Sequence, residues 1–525
     1  MGQSMKRLWK TLIVIGCLLF TLILGAVIHH YQLRAAVESY KTELKAKGFP
    51  MELSQALAPS VPPEQNSADV LCQASVFLDD ENDFFASHSY TAMKMVAPGK
   101  AMVCFRQSDA RGYDTTNSWD EVIRALAQET NTLDALEQIM ARPDLDFYLN
   151  FEHGIDAMVP TNLYLVQAKR AAMLLSAATL SDLHRGDPAS AARWISATLA
   201  LVRALRDERL EISELVRMAM ASIAFSDDWE LLQSPGLTDE QLAPLQDQWL
   251  NLEFARSSEH VLAMERIVGE FTANKYRSSS KEVQRHFEGV QELEKQFDGD
   301  EPSKPPGIFH RLKVSGQIFL WKYWWSYTDE LRLLKGYDVL NETAHIVATN
   351  GSFRVALQNE AAGLARLHVG KMDDAFQVFI SSMNGDLHTL LSRSISTLSL
   401  SLRRTVTAET ACRVMATAIA LKRYQIRHGK YPGALDALVP EFLPGALLDP
   451  ENGEPFRYHP NDDGTFLLYS IGPDGVDDGG HPAMSNGRPA SLFWQNPKAP
   501  DWVWPQPATW DEVQKFYQEQ AKNPD

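Results

Sequence analysis

At 525 residues, of which 45 % are hydrophobic, the chain is long enough for two or three domains with their own cores, and wholesale disorder is excluded. Its 50 Lys+Arg against 67 Asp+Glu leave a formal charge of −17, a surface that repels phosphate backbones and argues against nucleic acid as a partner.

In chain order, the first feature is Thr11 to Ile28 (TLIVIGCLLFTLILGAVI), an apolar run without one charge. As a helix it is about 27 Å long, close to the thickness of a bilayer's hydrocarbon layer. Lys6, Arg7 and Lys10 precede it, His29, His30 and Tyr31 follow, and Trp9 and Tyr31 stand at its two ends. The positive-inside rule keeps the N-terminus in the cytoplasm and sends the rest across. A cleaved signal peptide would have a shorter apolar region and a small-residue cleavage site, so the expectation is an uncleaved anchor. Val14-Ile15-Gly16-Cys17 resembles a lipoprotein box, but the apolar residues after Cys17 bury that cysteine within the span. Gly2 lacks the Ser or Thr at position six that myristoylation requires.

Residues 1–30 are thus expected to form a cytoplasmic tip and a single transmembrane helix, placing the body on the far side of the membrane. Residues 31–66 follow as a charged helix, Gln32–Lys47, stopped at Gly48-Phe49-Pro50 and continued by the proline-bearing linker APSVPPEQN. From 67 to 404 apolar residues recur at three and four, as in Ser118–Met140, Leu163–Leu183, Ala189–Leu205 and Ile212–Leu232, which predicts a helical body. Leu183-His184-Arg185-Gly186 with Ala191 is echoed by Leu367-His368-Val369-Gly370 with Ala375, the turn grammar of tetratricopeptide-like hairpins. Two distant copies do not make a solenoid, but helical hairpins are expected. Asp298–Pro306 is a polar, proline-bearing interruption. Ile318–Tyr327 (IFLWKYWWSY) is too short to span a membrane; it reads as an interfacial element or, preferably, a buried amphipathic helix packing Trp321, Trp324 and Trp325.

The cysteines leave two readings. In an exported body Cys72 and Cys104 can pair, closing a loop of about 30 residues worth roughly 3–4 kcal/mol; otherwise they are buried thiols. No C-x-x-C occurs, so neither a zinc ribbon nor a thioredoxin-type site is supported. Catalytic grammar is also sparse. There is no H-E-x-x-H, G-x-S-x-G or Walker A. Ser278-x-x-Lys281 lacks its companion motifs, Glu259, His260 and Glu265 lack the spacing that joins side chains on a helix, and His428 suits a helix C-terminus.

From Thr407 the pattern changes. A helix to His428 is followed by Gly429, Tyr431 and Pro432, then Leu435 and Leu438, then Asp449, Pro450, Gly453, Pro455, Phe456 and Tyr458. Pro455–His459 and Thr465–Ser470 alternate like two strands around the turn Asn461–Gly464, and Tyr469, Ser470, Gly472, Asp474 and Gly475 close the series. In this order residues 407–480 resemble the C-terminal half of the major pseudopilin of type II secretion systems, which implies a small α+β module over 405–525. The linker VPPEQN and the stretch LRDERLEISELVRMA are similar to those of bacterial membrane-anchored envelope proteins. The run 11–28 lacks the glutamate and processing site of a pilin, so the likeness implies a shared fold element rather than a place in a pilus.

The pseudopilin loop holds calcium, which takes six to eight oxygens from carboxylates and carbonyls. By position the ligands here would be Asp474, Asp477 and Asp478, with oxygens from Leu468 and Ser470. The expected fold is therefore mainly α: a helical-hairpin body after one transmembrane helix, with a pseudopilin-like module at its end. The expected role is a membrane-tethered periplasmic binding or scaffolding protein with envelope protein partners. The alternatives are an envelope hydrolase with a dispersed site and an accessory of a type II secretion or type IV pilus-like system.

Overall fold

The computed structural model of the chain describes residues 2–78, 84–87, 93–111, 116–142, 144–147, 159–285, 315–316, 318–349, 351–367, 390–482, 484–485, 488–489 and 500–522. It is mainly helical with a few small sheets. The first helix, α1 (Gly2–Ala46), is continuous. The next elements are α2 (Ala68–Leu78), β1 (Met95–Ala97), β2 (Lys100–Ala101), α3 (Trp119–Gln128) and α4 (Thr130–Glu137). The long helices are α5 (Val159–His184), α6 (Pro188–Ala204), α7 (Glu211–Leu232), α8 (Asp239–Leu250), α9 (Phe254–Ser278), α10 (Ser326–Ala348), α11 (Phe353–Arg366) and α12 (Ser394–His428). The chain ends in β3 (Arg457–Pro460), β4 (Phe466–Ser470), β5 (Trp502–Val503), β6 (Gln506–Pro507) and α13 (Trp510–Lys522).

Two compact units share these elements. One gathers 1–56, 263–340 and 361–399; the other gathers 57–262, 341–360 and 400–525. Residues 400–525 share a unit with 57–262, because α12 contributes Val414, Met415, Ala418, Ile419 and Leu421 to the same core as α5, α6 and α7.

In that larger unit the hairpin expected at Gly186 is present. Gly186 takes φ +79°, which costs a glycine little, and the Asp187 carboxylate then caps α6 by accepting from the Ser190 N–H, with Pro188 in the first turn. The second copy of that motif lies largely outside the described residues. Alanines at 168, 171, 172, 177 and 178 on α5 and at 191, 192 and 197 on α6 are buried, so the helix backbones approach closely. Capping boxes start α3 (Ser118 with Glu121) and α8 (Thr238 with Gln241). Leu174, Leu175, Ile195, Leu199, Phe225, Trp229 and Trp249 fill the interior, each such aliphatic burial being worth about 1.5–3 kcal/mol.

The strand pair expected from alternation is also present. β3 and β4 are antiparallel, with Arg457 opposite Tyr469 and Tyr458 opposite Leu468, joined through Gly464 at φ +81°. β5 pairs antiparallel with β4, and β6 pairs parallel with β2, which stitches the C-terminal segment to residues 100–101.

Fully buried Arg217 joins four segments of this unit. Its guanidinium donates to Glu214 at 2.6 Å, to Ser257 Oγ at 3.1 Å and to the carbonyls of Leu252 and Val202 at 2.9 and 2.8 Å.

The other unit is organised around the second half of α1. Val37, Tyr40 and Leu44 pack with Leu334, Leu331 and Tyr327. Lys41 sits between Glu330 at 2.8 Å and Glu270 at 3.2 Å, and buried Glu330 also meets Arg277 at 2.6 Å. Tyr40 and Lys47 both donate to Asp338, at 3.0 and 3.1 Å. Asp329 is fully partnered in the interior, accepting from Leu391 N, Ser392 N, Ser392 Oγ and Trp321 Nε1. Gly336 permits close helix packing, since a Cβ there would stand 2.7 Å from the Ile395 side chain. Of the tryptophans expected to be buried together, Trp321 is buried whereas Trp324 is exposed. The π-helical turn Trp321–Trp325 puts them on different faces.

Among the described residues no helix is long and apolar enough to cross a membrane. The side chains of Thr11, Leu12, Leu19, Leu22 and Ile23, which belong to the apolar run, lie outside that set.

Breaking the Arg217 cluster from one side leaves the Glu214 carboxylate buried without its countercharge. Arg217→Met is expected to lower unfolding stability by about 3–5 kcal/mol, read from denaturant midpoints of the detergent-solubilised chain. A shift below 1 kcal/mol would mean that the cluster is not a keystone of this unit.

Candidate functional site

Most residues of the expected calcium loop have partners within the chain. Leu468, in β4, gives its carbonyl to the Trp504 N–H at 2.8 Å. Ser470 Oγ accepts from Gly472 N at 3.2 Å and also bonds to Asp449. Asp474 accepts from Val476 N at 3.0 Å. Asp477 pairs with Arg457 at 3.0 Å and accepts from Gly479 N and the Tyr469 hydroxyl; the Arg457 guanidinium above all holds its carboxyl below the usual range. The Asp478 carbonyl faces the His481 ring. No cluster of three or more His, Cys, Asp or Glu side chains suited to a metal occurs among the described residues. An internal cation, Arg457, closes the loop, and register explains why: Arg457 lies opposite Tyr469 on the neighbouring strand.

The cysteines stand as free thiols, Cys72 half-buried and Cys104 buried. Each has its own partner, Tyr164 for Cys72 and Glu230 for Cys104, and burial raises both thiols above their ordinary value. Ser278 donates to the Lys275 carbonyl at 2.7 Å, in the manner of a helix end rather than a nucleophile beside a base. Glu259 meets His345 at 2.8 Å, while burial and then Arg209 hold His260 below the ordinary histidine value. The His428 ring lies tilted against the Tyr424 ring, 4.2 Å between centroids.

Two polar features of the larger unit have no counterpart in the motif reading. The first lies at the C-terminal end of α7, where Ser226-Asp227-Asp228-Trp229-Glu230 is enclosed and its three acids are 0–4 % exposed. Asp227 accepts from Ser176 at 2.6 Å, Asp228 accepts from Trp249 Nε1, and Glu230 accepts from Cys104 N at 2.8 and 3.1 Å. Trp229 Nε1 reaches the Pro505 carbonyl at 2.9 Å. Loss of water raises all three acids: Asp228 and Glu230 to about 7, Asp227 well above its usual value. Asp227 Oδ2 and Asp228 Oδ1 have no partner among the described residues, which suits protonated carboxyls. A helix enclosed on every side must bury the acids it carries; the signal in the sequence was this acidic triplet between Phe225 and Leu231.

The second is a pocket where α7 ends. It is lined by Gln233, Lys422, Tyr431, Phe466, Trp504 and Gln506. Lys422, part-buried on α12, forms no ion pair or hydrogen bond among the described residues. Burial, then the neighbouring Arg106 guanidinium, hold its ammonium below the ordinary lysine value. Arg106 itself donates to the Gln233 carbonyl. A cation against aromatic walls and side-chain amides has the chemistry to receive a small anion.

No known protein family, curated protein or solved structure matches the chain.

The enclosed acids set a pH dependence. For Asp228 and Glu230 the folded-state values lie above those of the unfolded chain, so the contribution of these two is complete below about pH 4 and is lost as pH rises toward and through 7. Between pH 5 and 8 each group is expected to cost on the order of 2 kcal/mol of stability. Asp228→Asn keeps the acceptor for Trp249 and removes the ionisation. Its stability should therefore fall less steeply with pH than that of the wild type in denaturant titrations at pH 5 and 8. Parallel slopes would contradict the assignment of Asp228 as a proton-holding group.

Proposed function

We propose that the chain is a membrane-tethered envelope protein that acts by binding, not by chemical transformation. The observation that carries this reading is the surface of α1. Its described large apolar side chains between Ile13 and Ile28, among them Val14, Leu18, Phe20, Leu24 and Val27, are 45–66 % exposed. An apolar surface of that length needs a cover, and hydrocarbon supplies one. The cations Lys6, Arg7 and Lys10 before it favour a cytoplasmic N-terminus, with the two folded units on the far side of the inner membrane.

Binding is favoured over hydrolysis because the acids Asp227, Asp228 and Glu230 are sealed from solvent, while the pocket at Lys422 holds an ammonium with no counterion among the described residues. Its chemistry suits a small carboxylate carrying an apolar flank, with Trp504 and Phe466 beside the flank and Lys422 on the charge.

Two measurements test this reading. After alkaline carbonate washing the full chain should remain in the membrane pellet, and deletion of residues 2–30 should release the body; a full chain recovered in the wash would contradict the tether. Benzoate, as the probe, should bind the detergent-solubilised chain in a salt-sensitive manner by calorimetry. Binding should be lost in Lys422→Met and kept in Lys422→Arg. Equal binding by all three forms would remove Lys422 from the site.

A further inference from the structure

The segment Ile318–Trp325 has two faces of different fate. Ile318 and Trp321 are buried; the Trp321 indole donates to Asp329 at 3.0 Å and its ring meets Tyr276 at 6.3 Å. The opposite face carries Phe319, Leu320, Tyr323 and Trp324, all 46–60 % exposed. Four large apolar or amphipathic side chains on adjacent positions make a contiguous outward patch, which a protein surface in water rarely maintains without a purpose.

The position of this patch identifies its cover. The His30 ring nitrogen lies 3.0 Å from the Tyr323 carbonyl, the His30 and Tyr327 rings are 5.0 Å apart, and the His29 and Trp324 rings are 6.3 Å apart. His29 and His30 directly follow Ile28, the last residue of the apolar run. The patch therefore stands beside α1 at the level where the run gives way to polar residues. Its composition fits that level as well: Tyr and Trp place an apolar ring toward the acyl chains and a polar edge toward headgroups. Lys322, 5.8 Å from the Tyr323 ring, has a stem long enough to carry its ammonium to the phosphates.

We propose that Phe319, Leu320, Tyr323 and Trp324 form a second membrane contact, which embeds in the headgroup–acyl boundary of the outer leaflet of the membrane that α1 crosses. The inference rests on the tether reading of α1. With two contacts instead of one, the unit that carries them is held at the bilayer surface and cannot swing about a single helix. The patch is too short to span and acts only as an interfacial foot.

Fluorine NMR of the full chain, labelled with 5-fluorotryptophan in lipid nanodiscs, tests the contact. Trp324→Phe, Trp9→Phe and Trp510→Phe assign three resonances by their disappearance. Trp9 lies at the cytoplasmic end of the run, and Trp510, 58 % exposed on α13, is the water-facing reference. A headgroup nitroxide lipid should broaden Trp324 and Trp9 several-fold more than Trp510, and a water-soluble gadolinium chelate should broaden Trp510 most. If Trp9 responds to the lipid while Trp324 responds to the chelate, the foot is overturned and the tether stands. If Trp9 also responds only to the chelate, the tether fails and the foot with it. A Trp324 resonance that neither agent reaches would mean that protein covers the patch, which also overturns the proposal.

Discussion

Lys41 is the residue on which the organisation of the smaller unit turns. It lies on the same continuous helix as the apolar run, yet its ammonium is held between Glu330 and Glu270, with Glu330 shared by Arg277. A charge network of this kind gains little net energy from its Coulomb attraction after desolvation, but it is intolerant of displacement, because moving one member strands the others. The helix therefore cannot rotate or slide without breaking its own charge pairing, and Tyr40 and Lys47 on Asp338 fix it further. Along one helix the demand on the environment reverses: exposed apolar side chains from Ile13 to Ile28, then buried charge and apolar packing from Val37 onward. The proposed foot follows from that fixation, since only a rigidly held α1 keeps the aromatic patch at a constant depth.

The larger unit meets a different constraint. Its long helices are enclosed by one another and by the C-terminal strands, so polar groups on them cannot escape to water. Arg217 is met by a set of acceptors, whereas burial raises the carboxyls of Asp227, Asp228 and Glu230 above their usual values. The same enclosure leaves Lys422 at the rim as a cation whose partner is not supplied by the described chain. These differences follow from chemistry: a guanidinium stays charged when buried, a carboxyl can neutralise, and an ammonium near a surface can wait for a ligand.

What could be read in the sequence was local. Gly186-Asp187-Pro188 announced the turn between α5 and α6, and alternation around Asn461–Gly464 announced β3 and β4 with their pairing. The division into units was not local: α9, α10 and α12 pass from one unit to the other, and periodicity along a helix does not say where its partners change. Spacing shows the aspartates near Gly475 as neighbours in the chain. It does not show Arg457, twenty residues earlier, arriving across a strand pair. The Trp-rich segment failed as a simple buried helix because a π-helical turn reassigns its faces, a change that helical periodicity cannot register. The Lys422 pocket draws residues from 233 to 506 and had no sequence signature.

Cys17 offers the most direct measurement of the central claim, that residues 11–28 lie in lipid. Its side chain is exposed on α1, while Cys104 and Cys412 are buried and Cys72 is half-buried. In water an exposed thiol reacts readily as its thiolate; within hydrocarbon it has no water to ionise into. In native membranes Cys17 is expected to resist N-ethylmaleimide and to react only after the membrane is dissolved in sodium dodecyl sulfate, as followed by peptide mass. Rapid modification of Cys17 in intact membranes would contradict it.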